Sequence, residues 1–316
     1  MKNTINLWCA VTLVAMVMSS CGGGSNTNYE DTPAKGEITV AVDESFQPVI
    51  AAEKSAFEQT YKYTKINLVY KPDLEAVTML LNSKARMAVV ARELTDTEKK
   101  VFDEEKIKYR SYKFAQDALA LITNKANKDT MITTQELGAV MKGEKKKWSE
   151  VGKRGSNEEI VLVFDNASSS NLVYLMQKYG IDKKDKVSFF AMKSNKEVIS
   201  YVKSHNNALG VIGVNWISDG DDPATLSFIK GINVMAVAEK ANPTNEDYYQ
   251  PFGYNVALKK YPLLREIKLI LKEAHLGLGT GFLNYMCMDQ GQLIAYKQGL
   301  IPLTRSVNIR MVKMGE

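Results

Sequence analysis

Two hydrophobic periods alternate through the first part of this chain, and that alternation limits the fold more than any other feature. Residues 36–42 read as a strand and 43–48 as a turn, and the stretch 49–61 carries Val49, Ile50, Ala52, Ala56, Phe57 and Tyr61 at helical spacing. The order repeats with a strand at 66–70, a turn at 71–73, a helix through Val77, Leu80 and Leu81, and a strand at 87–91. Apolar residues three and four apart mark an amphipathic helix, and short runs bounded by turn residues mark strands. Helices placed between successive strands imply a mainly parallel sheet with helices over its faces, an α/β architecture. Thr95-Asp96-Thr97-Glu98 adds a capping-box signature that opens the next helix.

The alternation continues less regularly. Residues 109–114 read as extended, and 118–124 form a continuous apolar run, the pattern of a strand buried on both faces. Thr133-Thr134-Gln135-Glu136 starts a helix, and Ser194-Asn195-Lys196-Glu197 caps another through Val198, Tyr201 and Val202. Strands are expected at 160–163, 208–214, 232–237 and 252–258, with an extended piece at 187–190. Residues 261–267 lead into a helix, and 279–296 read as one long helical stretch.

The stretch of most chemical interest is Phe164-Asp165-Asn166-Ala167-Ser168-Ser169-Ser170-Asn171. It lies between the strand at 160–163 and a helical run at 172–179 that stops at Gly180. The first turn of a helix has N–H groups without partners and carries the positive end of the helix dipole. Serine hydroxyls add rotatable donors at the same place. Such a turn suits an anion such as phosphate or sulfate. Ser, Asn and Asp also favour plain helix caps, so an ordinary N-cap in a polar loop is the competing reading.

The N-terminus reads as a leader. Lys2 precedes an apolar run at 7–18, of signal-peptide length and short for a membrane span. Met18-Ser19-Ser20-Cys21, followed by Gly22-Gly23-Gly24-Ser25, resembles a bacterial lipoprotein signal with Cys21 as the lipidated residue. Residues 1–20 are then the signal and 21–35 a flexible tether. Loss of the signal removes Cys9, so Cys287 is the one thiol left and neither a disulfide nor a cysteine metal site is expected. With only His205 and His275, histidine zinc sites and Ser-His-Asp triads are poorly supplied. No GxGxxG or Walker loop is present, so neither a cofactor nor a metal is expected. The net charge of +5 is spread along the chain, and Lys145-Lys146-Lys147 reads as a solvated turn, so no nucleic-acid partner is expected. The roughly 280 residues beyond the leader suffice for two modest domains.

Several segments, taken in order, resemble the phosphate-binding proteins of bacterial phosphate ABC transporters, the PstS family. They are 36–48, Ala91-Arg92-Glu93-Leu94, 117–124, 148–152, 166–170, 208–214, Tyr261-Pro262-Leu263-Leu264-Arg265, Gly291-Gln292 and 299–303. The resemblance implies a two-lobed, type II-like periplasmic binding fold, each lobe a mainly parallel sheet flanked by helices. Lobe 1 would combine residues 36–115 with 226–316, and lobe 2 would be 116–225. The ligand would be held in the cleft by Ser45, Phe46, Ala91, Arg92, Asn166, Ser168, Ser169 and Ser170. Two departures stand out: Phe164 occupies the position where the family usually has Arg, and Ser168-Ser169-Ser170 replaces Ser-Gly-Thr. Arg92 could supply the missing cation from the other lobe, or could simply cap a sheet edge. The family often has a carboxylate that accepts a ligand proton, and Asp43, Glu44, Asp73 and Asp165 are the candidates.

The function implied is non-enzymatic capture of inorganic phosphate, or a similar oxyanion, for delivery to an ABC permease. The protein would be an exported monomer, lipid-anchored at the cell envelope and facing the periplasm. Two alternatives are a divergent lipoprotein acting as a sensor or surface adhesin, and an exported phosphoester hydrolase. The hydrolase is opposed by the absence of metal-ligand clusters, of a nucleophile–base pair and of a GxSxG context around Ser168–Ser170.

Overall fold

The computed structural model describes residues 31–152 and 155–304. In chain order the first elements are β1 (Lys35–Asp43), a 3-10 turn (Glu44–Phe46), α1 (Gln47–Thr60), β2 (Tyr63–Lys71), α2 (Asp73–Leu81), β3 (Met87–Val90), α3 (Asp96–Glu104) and β4 (Tyr109–Asn124). Then follow β5 (Met131–Thr133), α4 (Thr134–Met141), β6 (Val161–Phe164), α5 (Ser170–Lys178), β7 (Phe190–Ala191), α6 (Asn195–Ser204), β8 (Ala208–Gly213) and α7 (Pro223–Ile229). The last are β9 (Ile232–Val234), β10 (Ala236–Ala238), α8 (Gly253–Ala257), β11 (Leu264–Lys272), α9 (Leu278–Cys287), α10 (Asp289–Lys297) and β12 (Ile301–Pro302). Local signals account for several starts. Thr95 and Glu98 form both bonds of the expected capping box, and so do Thr133 and Glu136.

The molecule is a two-lobed α/β fold in which each lobe has parallel strands flanked by helices. In one lobe β1 runs parallel to β2 and β3, and in the other β6 runs parallel to β7 and β8. The antiparallel pairings gather where the chain passes between lobes. Strand β4 is one strand of 16 residues, although its sequence divides into two pieces. Its first part lies against β11 and its second against β8 and β9. Val40, Val42, Phe46, Leu119, Phe164, Leu209 and Leu269 belong to one continuous buried apolar cluster that includes residues of both lobes.

Several expectations are corrected. Residues 264–272 form a central strand, not the approach to a helix, because β3 and β4 hydrogen-bond to both of its edges. That two-sided pairing overrides local preference. Residues 253–257 form a short helix instead of a strand; Gly253 has φ +39, which departs from extended backbone. The long helix at 279–296 is two helices, broken at Met288 (φ −92, ψ 177). The second packs so closely that a Cβ on Gly291 would lie 2.4 Å from the Met286 Cα. Strand β9 pairs with the far part of β4 and β10 pairs with β5, so residues 232–238 stand with the middle segment and not with lobe 1. The end of the expected tether is packed: the Asp31 carboxylate accepts from Leu278 N at 2.9 Å. The signal segment and Cys21 lie outside the described residues.

Candidate functional site

Two strand-to-helix turns meet where the lobes face each other. The turn after β1 holds Asp43, Glu44, Ser45 and Phe46, with Asp43 Oδ1 accepting from Ser45 N at 2.9 Å. The turn after β6 leads into α5 with Ser169 as its N-cap, the hydroxyl accepting from Asn171 N at 3.1 Å. Both turns lie at the C-terminal ends of parallel strands, where ligands of α/β sheets bind. They touch directly: Ser45 Oγ is 3.3 Å from Ser170 Oγ and donates to Asn171 Oδ1 at 3.3 Å. Further bonds cross between the lobes. Asn215 Nδ2 and Trp216 Nε1, just beyond β8, both donate to the Ser45 carbonyl at 3.0 Å. At the start of α6 the Asn195 backbone and side-chain amides donate to Glu44.

The cation at this junction is Arg265 of β11, not Arg92. It is 5% exposed. Nε donates to Asp117 Oδ2 at 2.6 Å, Nη1 donates to Ser170 Oγ at 3.1 Å, and the guanidinium carbon lies 4.8 Å from the centre of the Phe46 ring. A buried guanidinium is tolerable only when paired in this way. Its remaining nitrogen, Nη2, has no hydrogen-bond partner among the described residues. Gly213 keeps the space beside it clear: a Cβ there would lie 3.5 Å from Nη2 and 2.8 Å from Asn215 Nδ2.

Arg92 is instead a structural clamp. It donates to Asp73 at 2.7 Å and to the Glu98 oxygens at 2.7 and 2.9 Å, joining α2 to the start of α3. Ala91 N donates to Asp73 Oδ2 at 3.3 Å, so Ala91 and Arg92 belong to a layer behind the junction. Burial, with the Asp43 charge nearby, raises the Asp73 pKa to about 6.

Ser45, Phe46, Ser169 and Ser170 are thus brought together. Ser168 is not: it is exposed and its N–H donates to Asn166 Oδ1 at 2.7 Å, while the half-buried Asn166 reaches the cluster only through Asp165, to which its Nδ2 donates at 3.0 Å. Phe164 is fully buried and meets Phe189 edge-on with ring centres 5.7 Å apart, so the position of the family arginine is core here. Arg265, Asp117, Gly213 and Asn215 were not singled out by their residue types, and Asn171 and Asn195 were read only as parts of helix starts. Segments 117–124 and 261–265 did carry the resemblance, but Asp117 and Arg265 are 148 residues apart, beyond any local signal.

The carboxylates divide by their partners. Asp165 accepts from Ser169, Asn166 and Asn171. Glu44 is held by Asn195, and Asp73 by Arg92. Asp43 Oδ2 alone of the four candidates is buried without a hydrogen bond of normal geometry, although Ser170 is near enough to favour its ionised form. Burial raises Asp43 and Asp117, with Arg265 opposing in both cases. Burial also raises Asp165, opposed first by the Ser169 hydroxyl, and lifts Glu44 to about 8 with the help of the Asp165 charge. A small oxyanion could meet the serine hydroxyls and Arg265 Nη2 as donors and Asp43 as an acceptor. A large surface cleft of about 830 Å³, lined by Tyr61, Tyr285, Cys287 and Met288, touches none of these residues.

Two α/β lobes that bring their strand-end turns to one buried polar junction define a binding protein of the periplasmic type. The chain belongs to the PBP superfamily domain family, whose model matches residues 27–290. It is similar to the phosphate-binding protein PstS of Borreliella burgdorferi, with 26% identity over 77% of this chain and 84% of the relative. It is also similar to PstS of Staphylococcus aureus, with 22% identity over 82% and 80%. Among solved structures, a phosphate-bound chain from Clostridium perfringens matches with TM-score 0.70 and 21% identity, covering 85% of this chain and all of that one (100%). An ABC-type phosphate transport receptor from Vibrio cholerae matches with TM-score 0.60 and 21% identity, covering 84% and 99%.

Proposed function

We propose that this protein captures inorganic phosphate, or a closely similar oxyanion, between its lobes and presents it to an ABC permease without chemical turnover. The observation that carries the reading is Arg265, a buried arginine with Nη1 on Ser170 and Nη2 unpartnered beside Ser45 and Gly213. A guanidinium matches the oxygens of a tetrahedral anion, and charge-assisted hydrogen bonds are the strong ones. The ligand residues in this reading are Ser45, Ser170 and Arg265, with Phe46 supporting the guanidinium and Asp43 accepting a ligand proton. The phosphate-binding names of the two curated relatives support it. The envelope location follows from the leader: Cys21 as lipid anchor, with the binding domain facing the periplasm as a monomer.

The test is calorimetric titration of residues 26–316 with phosphate and then sulfate. Phosphate binding with sulfate excluded is the expected outcome, since a fully ionised sulfate has no proton to give Asp43. Equal binding of both would make this a general oxyanion receptor. Absence of heat with either anion would overturn the reading.

A further inference from the structure

Given the lipid-anchor reading of Cys21, on which this rests, we propose that the end of lobe 1 where the chain enters the fold is a membrane-contact face, set against a lipid bilayer surface through Tyr63, Leu276 and Met288. Among the described residues these are the three most exposed large apolar side chains, at 79%, 68% and 64%. They come from three separate parts of the chain, and each stands beside residues 31–35. Tyr63 pairs in register with Lys35 across β1 and β2. Leu276 lies between His275, whose Nε2 is 3.3 Å from Asp31, and Gly277, where a Cβ would meet Asp31 at 2.7 Å. Met288 lines the 830 Å³ cleft together with Pro33, Ala34 and Tyr61. Exposed apolar side chains gathered in this way mark a surface that meets another apolar phase.

The chain leading into this face sets which phase that is. Ten residues lie between Cys21 and Asp31 along the sequence, and a chain extends at most roughly 3.6 Å per residue, so a lipid on Cys21 keeps Asp31 within roughly 36 Å of the bilayer. The side chains suit the bilayer surface. Tyr61 and Tyr63 each present an apolar ring with a polar end, the form that gathers at membrane–water interfaces. Lys35 and Lys62 are exposed beside them, and Lys106 and Lys108 border a second cleft, of about 600 Å³, that Leu276 shares. Lysine stems lie along apolar surface while the charge stays among headgroups. Of the acids nearby, Asp31 and Glu273 pair with Arg86, and Glu105 pairs with Lys272. A few side chains hold a bilayer only weakly, and the tether makes their encounter intramolecular, which raises the effective concentration. The face alone therefore does not retain the chain, and the molecule is free to leave it to meet a permease. Strand β1 runs from this face to the junction, and its nine residues rise roughly 3.3 Å each, so the ligand turn stands roughly 25–30 Å along the strand from the contact.

The experiment uses the full chain, processed and lipidated, in vesicles of phosphatidylethanolamine and phosphatidylglycerol with and without bromine on the acyl chains. Tryptophan emission is compared in Tyr63→Trp and in Phe190→Trp, an exposed position on lobe 2; the buried Trp148 and Trp216 give both the same background. Bromine should quench the Tyr63→Trp emission and leave that of Phe190→Trp unchanged. Adding Leu276→Ser and Met288→Ser should reduce the quenching of Tyr63→Trp while the chain still floats with the vesicles. Flotation with no quenching at either position, or with equal quenching at both, would overturn the contact face and leave the lipid anchor intact. Failure to float would overturn the anchor and the face together. Emission of Tyr63→Trp that shifts with protein concentration in detergent, without quenching by bromine, would give the face to a second copy of the chain; quenching that appears only after deletion of residues 305–316 would give it to that segment. Either would overturn the membrane contact.

Discussion

At the scale of single residues, the arginine at the junction is Arg265 and not Arg92, the one that the sequence offered. Arg265 is buried with a hydroxyl from the opposite lobe on one nitrogen, whereas Arg92 spends its donors on Asp73 and Glu98. Arg265→Gln in a background of Asp117→Asn, which avoids leaving one buried charge alone, should weaken phosphate binding by about ten- to a hundred-fold. That follows from losing a hydrogen bond to a charged group of about 1.5–3 kcal/mol. Arg92→Ala should leave phosphate affinity within about two-fold of wild type and lower the melting temperature, since its bonds are structural. Calorimetric titration and thermal unfolding of both variants check this. A large loss of affinity in Arg92→Ala with none in the Arg265 variant would restore Arg92 as the cleft cation. Phe164, a core phenylalanine packed edge-on against Phe189, fills the position where the resemblance expects an arginine.

At the scale of elements, the helix starts hold the junction. Ser169 caps α5 and binds Asp165, so Ser169→Asp places a second carboxylate beside Asp165 and should abolish phosphate binding. Retained affinity in that variant would place the ligand elsewhere. Glu44 of lobe 1 meets the first amide of α6 in the other lobe, and this contact has a defined pH dependence. Burial raises its pKa from the ordinary 4.5 to about 8, so the folded state holds the proton more tightly than the unfolded chain does. The stability contributed by Glu44 is therefore fully present below about 4.5 and is lost as pH rises toward about 8, where the folded group ionises. Other buried acids contribute to the wild-type profile, including Glu53 with a pKa near 9 and Asp73 near 6. The comparison with Glu44→Gln isolates this one: its melting temperature should fall less between those pH values. Parallel profiles for the two proteins would remove Glu44 from the account.

At the scale of the whole molecule, the contacts that close the site also hold the lobes together. Opening must break Ser45 from Ser170 and Asn171, the Ser45 carbonyl from Asn215 and Trp216, and Glu44 from Asn195. A buried ligand at this junction therefore requires a hinge motion. Phosphate should shift the protein from a larger to a smaller radius of gyration in solution scattering. It should also change the emission of Trp216, which is 6% exposed and bonded across the lobes. Identical scattering curves with and without bound phosphate would mean that the ligand enters without lobe movement. Separately, Cys21→Ser should release the protein from the membrane fraction, and continued association would remove the lipid anchor.

The sequence by itself determined what short-range physics controls. The βα alternation of residues 36–91, the Thr95–Glu98 capping box and the serine-capped start of α5 depend on neighbours within a few residues, and each appears in the structure. The candidate position at the turns after β1 and β6 follows from that alternation, because strand ends in such sheets are where ligands bind. The tertiary structure decided which charge reaches the site. Residues 264–272 become a strand only because β3 and β4 bond to both edges, and that strand carries Arg265 to Asp117 and Ser170. Pairings across such separations leave no trace in local periodicity. The partners that make a buried arginine tolerable exist only once the chain is folded.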